Sequence, residues 1–240
     1  MAAKPMSFLG DVARWLTDGD SWDGRSGIAH RLVEHARYSA AAVVTAFAIA
    51  APVASWIGHK RRFGTLGMNI ANIGQTLPTF AVLVLVVQAV GIGEAPLVGP
   101  LALFLALTLL AVPPIFTNVY TGFAGVDDAY RDAARGMGMT EQQQLLRAEL
   151  PIAMPLVATG VRIAVVQVIA TATIGAYAGA GGLGRFIIDG FALQDNPQVF
   201  GGALLVAAVA ILSDRLLVSA ERRLGAWPRT RARLGFRRSG

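Results

Sequence analysis

The chain has 240 residues, 54% of them hydrophobic and only 15% charged, with a formal net charge of +6 and no cysteine. Soluble domains carry nearer to about 25% charged residues, so the composition argues against a soluble class, and disulfides and thiolate metal sites are excluded. The basic excess is not a nucleic-acid signature, because Lys and Arg cluster beside long apolar runs, the pattern of a membrane protein.

Residues 1–37 read as a polar extracytoplasmic tail. Asp11, Asp18, Asp20 and Asp23 interrupt any apolar core that a cleavable signal peptide would need. A short amphipathic piece is expected around Phe8–Leu16. Crossing a bilayer takes about 20 apolar residues, and the first such run is Tyr38–Gly58, stopped by His59-Lys60-Arg61-Arg62. The second, Leu66–Val90, contains Pro78 and ends in a Gly91-Ile92-Gly93-Glu94 turn. The third, Pro96–Phe116, carries Pro113-Pro114, which should kink it or end its regular hydrogen bonding. A polar segment follows, Thr121–Pro151. The fourth run lies within Ile152–Ala180, and a glycine-rich stretch from Gly179 to Gly184 opens a connection reaching Pro197. The fifth, Val199–Val218, is interrupted late by Asp214 and Arg215. Every backbone group must be satisfied within a span, so the predicted fold class is an all-α polytopic membrane protein of about five transmembrane helices. Residues 38–220 form the transmembrane domain, and 221–240 form a basic cytoplasmic tail. No internal repeat stands out.

Orientation follows from the basic residues. Segments 59–66, 121–151 and 214–240 together hold fourteen Lys and Arg, against six in the N-terminal tail and 176–197. The positive-inside rule places the richer segments and the C-terminus in the cytoplasm and the N-terminus outside. The arginines near the C-terminus (Arg229, Arg231, Arg233, Arg237 and Arg238) read as a lipid-facing anchor.

The stretch Asp127–Pro151 predicts two short helices. Asp127 is an N-cap, with helix formers from Ala129 to Arg135, and Gly136 and Gly138 supply a left-handed C-cap. Thr140 with Gln143 makes a capping box for a second helix, Glu141–Ala148, which Leu150-Pro151 closes. A capped helix pair on a cytoplasmic loop is suited to a partner's groove. The pattern Asp132-Ala133-Ala134, three residues, Gly138, nine residues, then Ala148-Glu149-Leu150-Pro151 resembles the EAA loop of binding-protein-dependent ABC importer permeases. Asp132 stands where that loop has Glu, and Ala148 where it has Ile. The glycine-rich Ala178–Gly184 is similar to the outer loop after the fourth span of the same permeases. Asn69–Pro78 resembles the second span of their glycine betaine/choline/proline (osmoprotectant) branch.

The resemblance implies a type I importer permease, with two such subunits, identical or paralogous, forming the pore. A cytoplasmic ATPase dimer would dock on Asp132, Ala133, Ala134, Gly138, Leu150 and Pro151. An extracytoplasmic solute-binding protein would meet Gly179, Gly181, Gly182 and Gly184. The lipid membrane is its medium, and no nucleic acid is implied.

Within the spans, Asn69, Asn72, Gln75, Thr76 and Thr79 recur at spacings of three and four and so share one helix face. With Pro78 they are candidates for the translocation path, or for hydrogen bonds that only hold the bundle together. Arg162 is expected to snorkel at the cytoplasmic boundary, with Ile152–Val161 packed on the loop helices below it. Catalytic and metal-ligating constellations are lacking. His30, His35 and His59 are dispersed and read as surface or interfacial residues, and no P-loop occurs. No cofactor is expected, and ATP would be bound by a partner subunit. The function these readings favour is a non-catalytic permease subunit, importing small compatible solutes such as glycine betaine, choline, carnitine or proline. A permease for another solute such as methionine, and an ATP-independent secondary transporter, remain as alternatives.

Overall fold

The computed structural model describes residues 5–90 and 98–224. The turn expected at Gly91–Glu94, the start of the third span at Pro96, and the arginine-rich tail lie outside those residues. The chain runs as α1 (Pro5–Thr17), a short 3₁₀ turn (Gly19–Ser21), α2 (Ile28–Lys60), α3 (Gly64–Thr76), α4 (Thr79–Val90), α5 (Val98–Ala124), α6 (Asp128–Gly136), α7 (Glu141–Gln143), α8 (Leu150–Thr171), α9 (Gly184–Leu193) and α10 (Asn196–Leu224). A π-helical stretch, Gln144–Glu149, joins α7 to α8, and a 3₁₀ segment, Ala172–Ala178, prolongs α8. There is no strand among the described residues. Four helical segments are long and apolar enough to cross a membrane, or five if the bent pair α3–α4 counts as one span.

Several boundaries differ from the sequence expectation, each for a physical reason. Helix α2 starts at Ile28 rather than Tyr38, because its polar first turns are packed: Ile28 is fully buried against a cluster containing Leu183 and Phe186. The second apolar run is two helices bent by 84°. Pro78 has no N–H to continue the ladder and pushes Leu77 into extended backbone, with φ −73° and ψ 121°. Thr79 therefore opens α4 and does not share the α3 face of Asn69, Asn72, Gln75 and Thr76. Conversely, Pro113-Pro114 neither ends α5 nor breaks it. Both prolines are buried, Pro113 packs against α3 at Gly74, and the Pro114 carbonyl accepts from Asn118 Nδ2 at 2.8 Å.

Leu150-Pro151 likewise does not close a loop helix. The wider π turn lets the Leu150 N–H donate to the Leu145 carbonyl and carries the chain past Pro151, so one rod runs from Glu141 to Ala178. The connection before α10 holds a helix of its own, α9, ended by Gln194 at φ 58°. The N-terminal amphipathic piece is α1, which docks on α9 and α10 through Trp15 edge-on to Phe186 at 5.2 Å and Phe8 on Phe200 at 5.7 Å.

The core sits where α5 meets α2 and α8. Ala42, Ala46, Ala50 and Ala54 recur every fourth residue on α2, all at 2% exposure or less. They join Ala102, Ala106, Leu107 and Ala111 of α5 in one buried cluster. Glycines bring backbones equally close on the other side: a β-carbon at Gly160 of α8 would lie 2.7 Å from the Asn118 β-carbon of α5. Small residues at such crossings are the usual solution in a membrane, where lipid is as apolar as the helix surface and association rests on close packing.

Overfilling this seam should destabilise the bundle. Ala46→Leu is expected to cost about 1–3 kcal/mol and to lower the unfolding temperature in detergent. Val44→Leu, on the exposed face of the same helix, should leave it unchanged.

Candidate functional site

The loop between α5 and α8 is built as two helical pieces held by local caps. The Asp127 carboxylate accepts from the Ala129 N–H at 2.9 Å and starts α6. Thr140 and Gln143 form both arms of the capping box that starts α7. Between them the chain turns in a Schellman arrangement: Gly138 N–H donates to Arg135 and Met139 N–H to Ala134. Gly138 has φ 76°, the left-handed conformation that favours glycine, whereas Gly136 is an ordinary helical residue. Open space surrounds the position a Gly138 β-carbon would take. The constraint there is backbone conformation, not contact between the two helices.

Helix α6 has two faces. Arg131 and Ala134 are buried, and Tyr130, Asp132, Ala133 and Met137 are exposed. Tyr130, Met137 and, beyond the turn, Leu146 are large apolar side chains at 59%, 70% and 51% exposure. Leu150 is half-buried and Pro151 exposed at the base of the rod.

Beneath this surface lies a polar network that the sequence reading missed. Glu149, fully buried, accepts from His59 Nδ1 at 2.9 Å and from Gln144 Nε2 at 3.1 Å. Arg131 lies against it, with Nε 3.4 Å from Oε1. The same guanidinium donates to the Phe123 carbonyl at 2.7 Å and to the His59 carbonyl at 3.0 Å. One cluster thus ties α6, the end of α2, the end of α5 and the π-helical start of the rod. The rest of the basic segment adds to it. Lys60 donates to Glu141 at 2.6 Å, which holds the Glu141 carboxyl below its usual range, and Arg61 donates to Asp128 at 3.0 Å and to the Val126 carbonyl at 2.9 Å. The segment read as a stop signal is also the clamp on the loop. His59 is not a surface residue, with its side chain only 8% exposed. A signal existed: a carboxylate at the mouth of an apolar run needs a partner, and Glu149 precedes Leu150-Pro151 directly.

The glycine-rich stretch lies at the other end of α2. Gly179 has φ 76° and Gly182 φ 91°. The Gly182 N–H donates to the Glu34 carboxylate at 2.9 Å, and a β-carbon at Gly181 would strike that same carboxylate. Gly184 begins α9 where any side chain would meet the Thr173 carbonyl. His35, also read as superficial, is buried beside Gly182 and bonds the Ile169 carbonyl at 3.0 Å. A carbonyl only accepts, so Nε2 carries the proton.

The remaining candidates are not gathered with either group. Asn69, Asn72, Gln75, Thr76 and Pro78 are exposed on this chain. Among the described residues Asn69, Asn72 and Gln75 make no side-chain hydrogen bond, and Thr76 bonds only back to Ile73. Hydrogen bonding within this chain's bundle is therefore not what those amides do. Arg162 has an acidic partner, Asp214 of α10, at 3.9 Å. The segment below it does not pack on the loop helices as expected: Ala153 and Gly160 pack on Gly122 and Asn118 of α5.

Removing the buried carboxylate should be costly. Glu149→Ala leaves the Arg131 charge without its partner, a loss of about 3–5 kcal/mol for a buried pair. Faster proteolysis between Gly125 and Thr140 and a lower melting temperature are expected. Glu141→Ala, which cuts only the exposed link to Lys60, should melt with the wild type.

Comparison with known proteins bears on the whole arrangement. The chain is 33% identical over 197 residues to the choline transport system permease protein OpuBB of Bacillus subtilis, covering 82% of this chain and 88% of that one. It is 36% identical over 215 residues to the carnitine transport permease protein OpuCD of Listeria monocytogenes, covering 89% and 93%. It is 40% identical over 162 residues to the osmoprotectant import permease protein OsmY of Salmonella typhimurium, covering 68% and 66%. Among solved structures, an inward-facing MetNI methionine ABC transporter matches with a TM-score of 0.69 at 20% identity, over 82% of this chain and 95% of that one. An amino acid ABC transporter matches at 0.65 and 15%, over 93% and 100%. Both share the all-helical permease fold. Residues 43–226 match the family described as the binding-protein-dependent transport system inner membrane component, and the chain belongs to that family of multi-pass membrane proteins.

Proposed function

We propose that this chain is the permease subunit of an ATP-driven importer for small compatible solutes of the glycine betaine, choline, carnitine or proline class. It performs no catalysis itself. Two permease subunits, identical or paralogous, enclose the path in a prokaryotic plasma membrane, and a cytoplasmic ATPase dimer supplies the work. An external solute-binding protein presents cargo at the glycine-rich end. Family membership and the names of the relatives support the cargo class. The observation that carries the coupling role is the loop: an exposed apolar face on α6, underlain by a buried network, continuous through a π turn with a spanning rod. An ATPase seated on Tyr130, Ala133 and Met137 would push on Arg131 and Glu149 directly beneath. Gly138, Leu150 and Pro151 would set the angle between the docked helix and that rod. The exposed polar face of α3 supports Asn69, Asn72, Gln75 and Thr76, ahead of the Pro78 break, as lining of the path. The N-terminus is outside and the C-terminus inside, as the basic residues around the loop argue.

Two experiments test this reading. Gly138→Val places a β-branched side chain at positive φ, a strain of about 1 kcal/mol or more. Membrane abundance should stay near normal, while co-purified ATPase and cargo-stimulated hydrolysis fall together, with a smaller effect from Gly136→Ala. Wild-type stimulation in Gly138→Val would remove the loop from the coupling role. For topology, reporter fusions after residues 62 and 138 should read cytoplasmic and one after 190 extracytoplasmic. An extracytoplasmic signal at 138 would reverse the orientation.

A further inference from the structure

Arg162 and Asp214 line a cleft of about 420 Å³ with Ile163, Val166 and Gln167. They are a charged pair of the spans that the loop network does not use. Arg162 lies thirteen residues beyond Glu149, about 20 Å along the rod, well away from that network. The face of α8 opposite this cleft is the buried one, carrying Ala153, Val157, Gly160, Ala164 and Val168. The cleft therefore opens away from the α5 seam, toward whatever covers this chain in the membrane. Lipid is a poor cover, since charged side chains facing hydrocarbon are costly and are found against a bundle interior or a water-filled cavity. A water-filled path or another polar surface is needed.

The pair is also loosely closed. Nε and Oδ1 stand 3.9 Å apart, the side chains are 32% and 40% exposed, and among the described residues neither side chain has a hydrogen bond. Two opposite charges held close but not bonded present a guanidinium with free donors beside a carboxylate with free lone pairs. That is the complement of a small zwitterion. Gln167, on the same wall, offers a further donor, and Ile163 and Val166 supply an apolar surface for methyl groups. The electrostatics favour such a ligand over an ion. The pair is neutral overall, so inserting a neutral zwitterion leaves no net charge in a region of low dielectric, whereas a bare ion would leave one uncompensated.

We propose that this cleft is a transit site for a small zwitterion, with its carboxylate on Arg162 and its quaternary ammonium against Asp214. The inference rests on the cargo reading above and adds to it the residues that tell one cargo from another. A solute with both charges uses both residues. A lone quaternary ammonium such as choline uses Asp214 only.

Cargo selectivity tests the site with the complete importer, ATPase and binding protein included. Losing a charge-assisted hydrogen bond corresponds to about tenfold or more. Arg162→Gln should therefore reduce glycine betaine uptake about tenfold or more relative to choline uptake within the same preparation, a ratio that does not depend on abundance. An unchanged ratio overturns the site. Wild-type protein that carries neither solute overturns the cargo reading instead. A second measurement leaves the pair intact. Because the chain has no cysteine, Val166→Cys gives a single thiol in the cleft. A charged, water-soluble thiol reagent should modify it in the assembled complex, several-fold more slowly with glycine betaine present. No reaction would mean that lipid covers the cleft. A disulfide between two copies would mean that the second permease subunit fills it. Either result overturns the proposal.

Discussion

The contact on which everything else hangs is the alanine seam between α2 and α5. Ala42, Ala46, Ala50 and Ala54 are buried with only a methyl group each, so the two backbones run close together along most of the bundle. In a medium as apolar as the helices, the gain comes from dispersion across that close contact, many small contributions that need tight fit to accumulate. Glycines extend the principle to α8 through Gly122 and Gly160. The result fixes three helices as one body with α5 inside, and it sets where their ends fall. Lys60, Ala124 and Glu149 finish together at one end, which is why a single buried cluster can reach all three.

That cluster gives the loop its mechanical character. An exposed loop helix on a flexible tether would absorb a push instead of passing it on. Here Arg131 points inward from α6 to two carbonyls, on α2 and α5, and to the Glu149 carboxylate at the start of the rod. Breaking such a buried pair by removing one partner is expensive even though forming it contributes little net stability. Such a pair resists distortion and holds one geometry without adding greatly to the stability of the fold. The π turn serves the same end. It takes the chain through Pro151 with the helix unbroken, so α7 and α8 belong to one continuous rod.

What the sequence made legible, and what it hid, divides along local and tertiary lines. The spans were readable because apolar length is a property of the chain alone. The loop's caps were readable because Asp127, Thr140, Gln143 and the left-handed Gly138 act within a few residues of themselves. Pro78 broke its helix as its chemistry dictates, although the outcome was an 84° bend inside what had been read as one run. Pro113-Pro114 has the same chemistry and did not break its helix, because neighbours from α3 and α8 enclose it. The histidines show the limit most clearly. Dispersion along the sequence made His35 and His59 look superficial, yet each is buried by a partner more than eighty residues away, Ile169 and Glu149. Local spacing carries no trace of that pairing. An unpartnered Glu149 at the head of an apolar run was the only hint.

Helix α2 links the two ends of the molecule. Its first turns hold the glycine-rich stretch through Glu34 and bond α8 through His35, and its last hold the loop through His59, Lys60 and Arg61. Between them it is locked to α5 by the alanine seam, so it cannot shorten or shear locally without opening that contact. One helix thus positions both Gly182 and the start of the loop. Helices α3, α4 and α10 stand outside this frame, and they or their neighbours carry the polar groups left uncovered, the α3 amides and the Arg162–Asp214 pair. Rigidity is concentrated in α2, α5 and α8, and unsatisfied polarity on the surfaces beside them. Its exposed amides and loosely paired charges need water or another polar surface beside them.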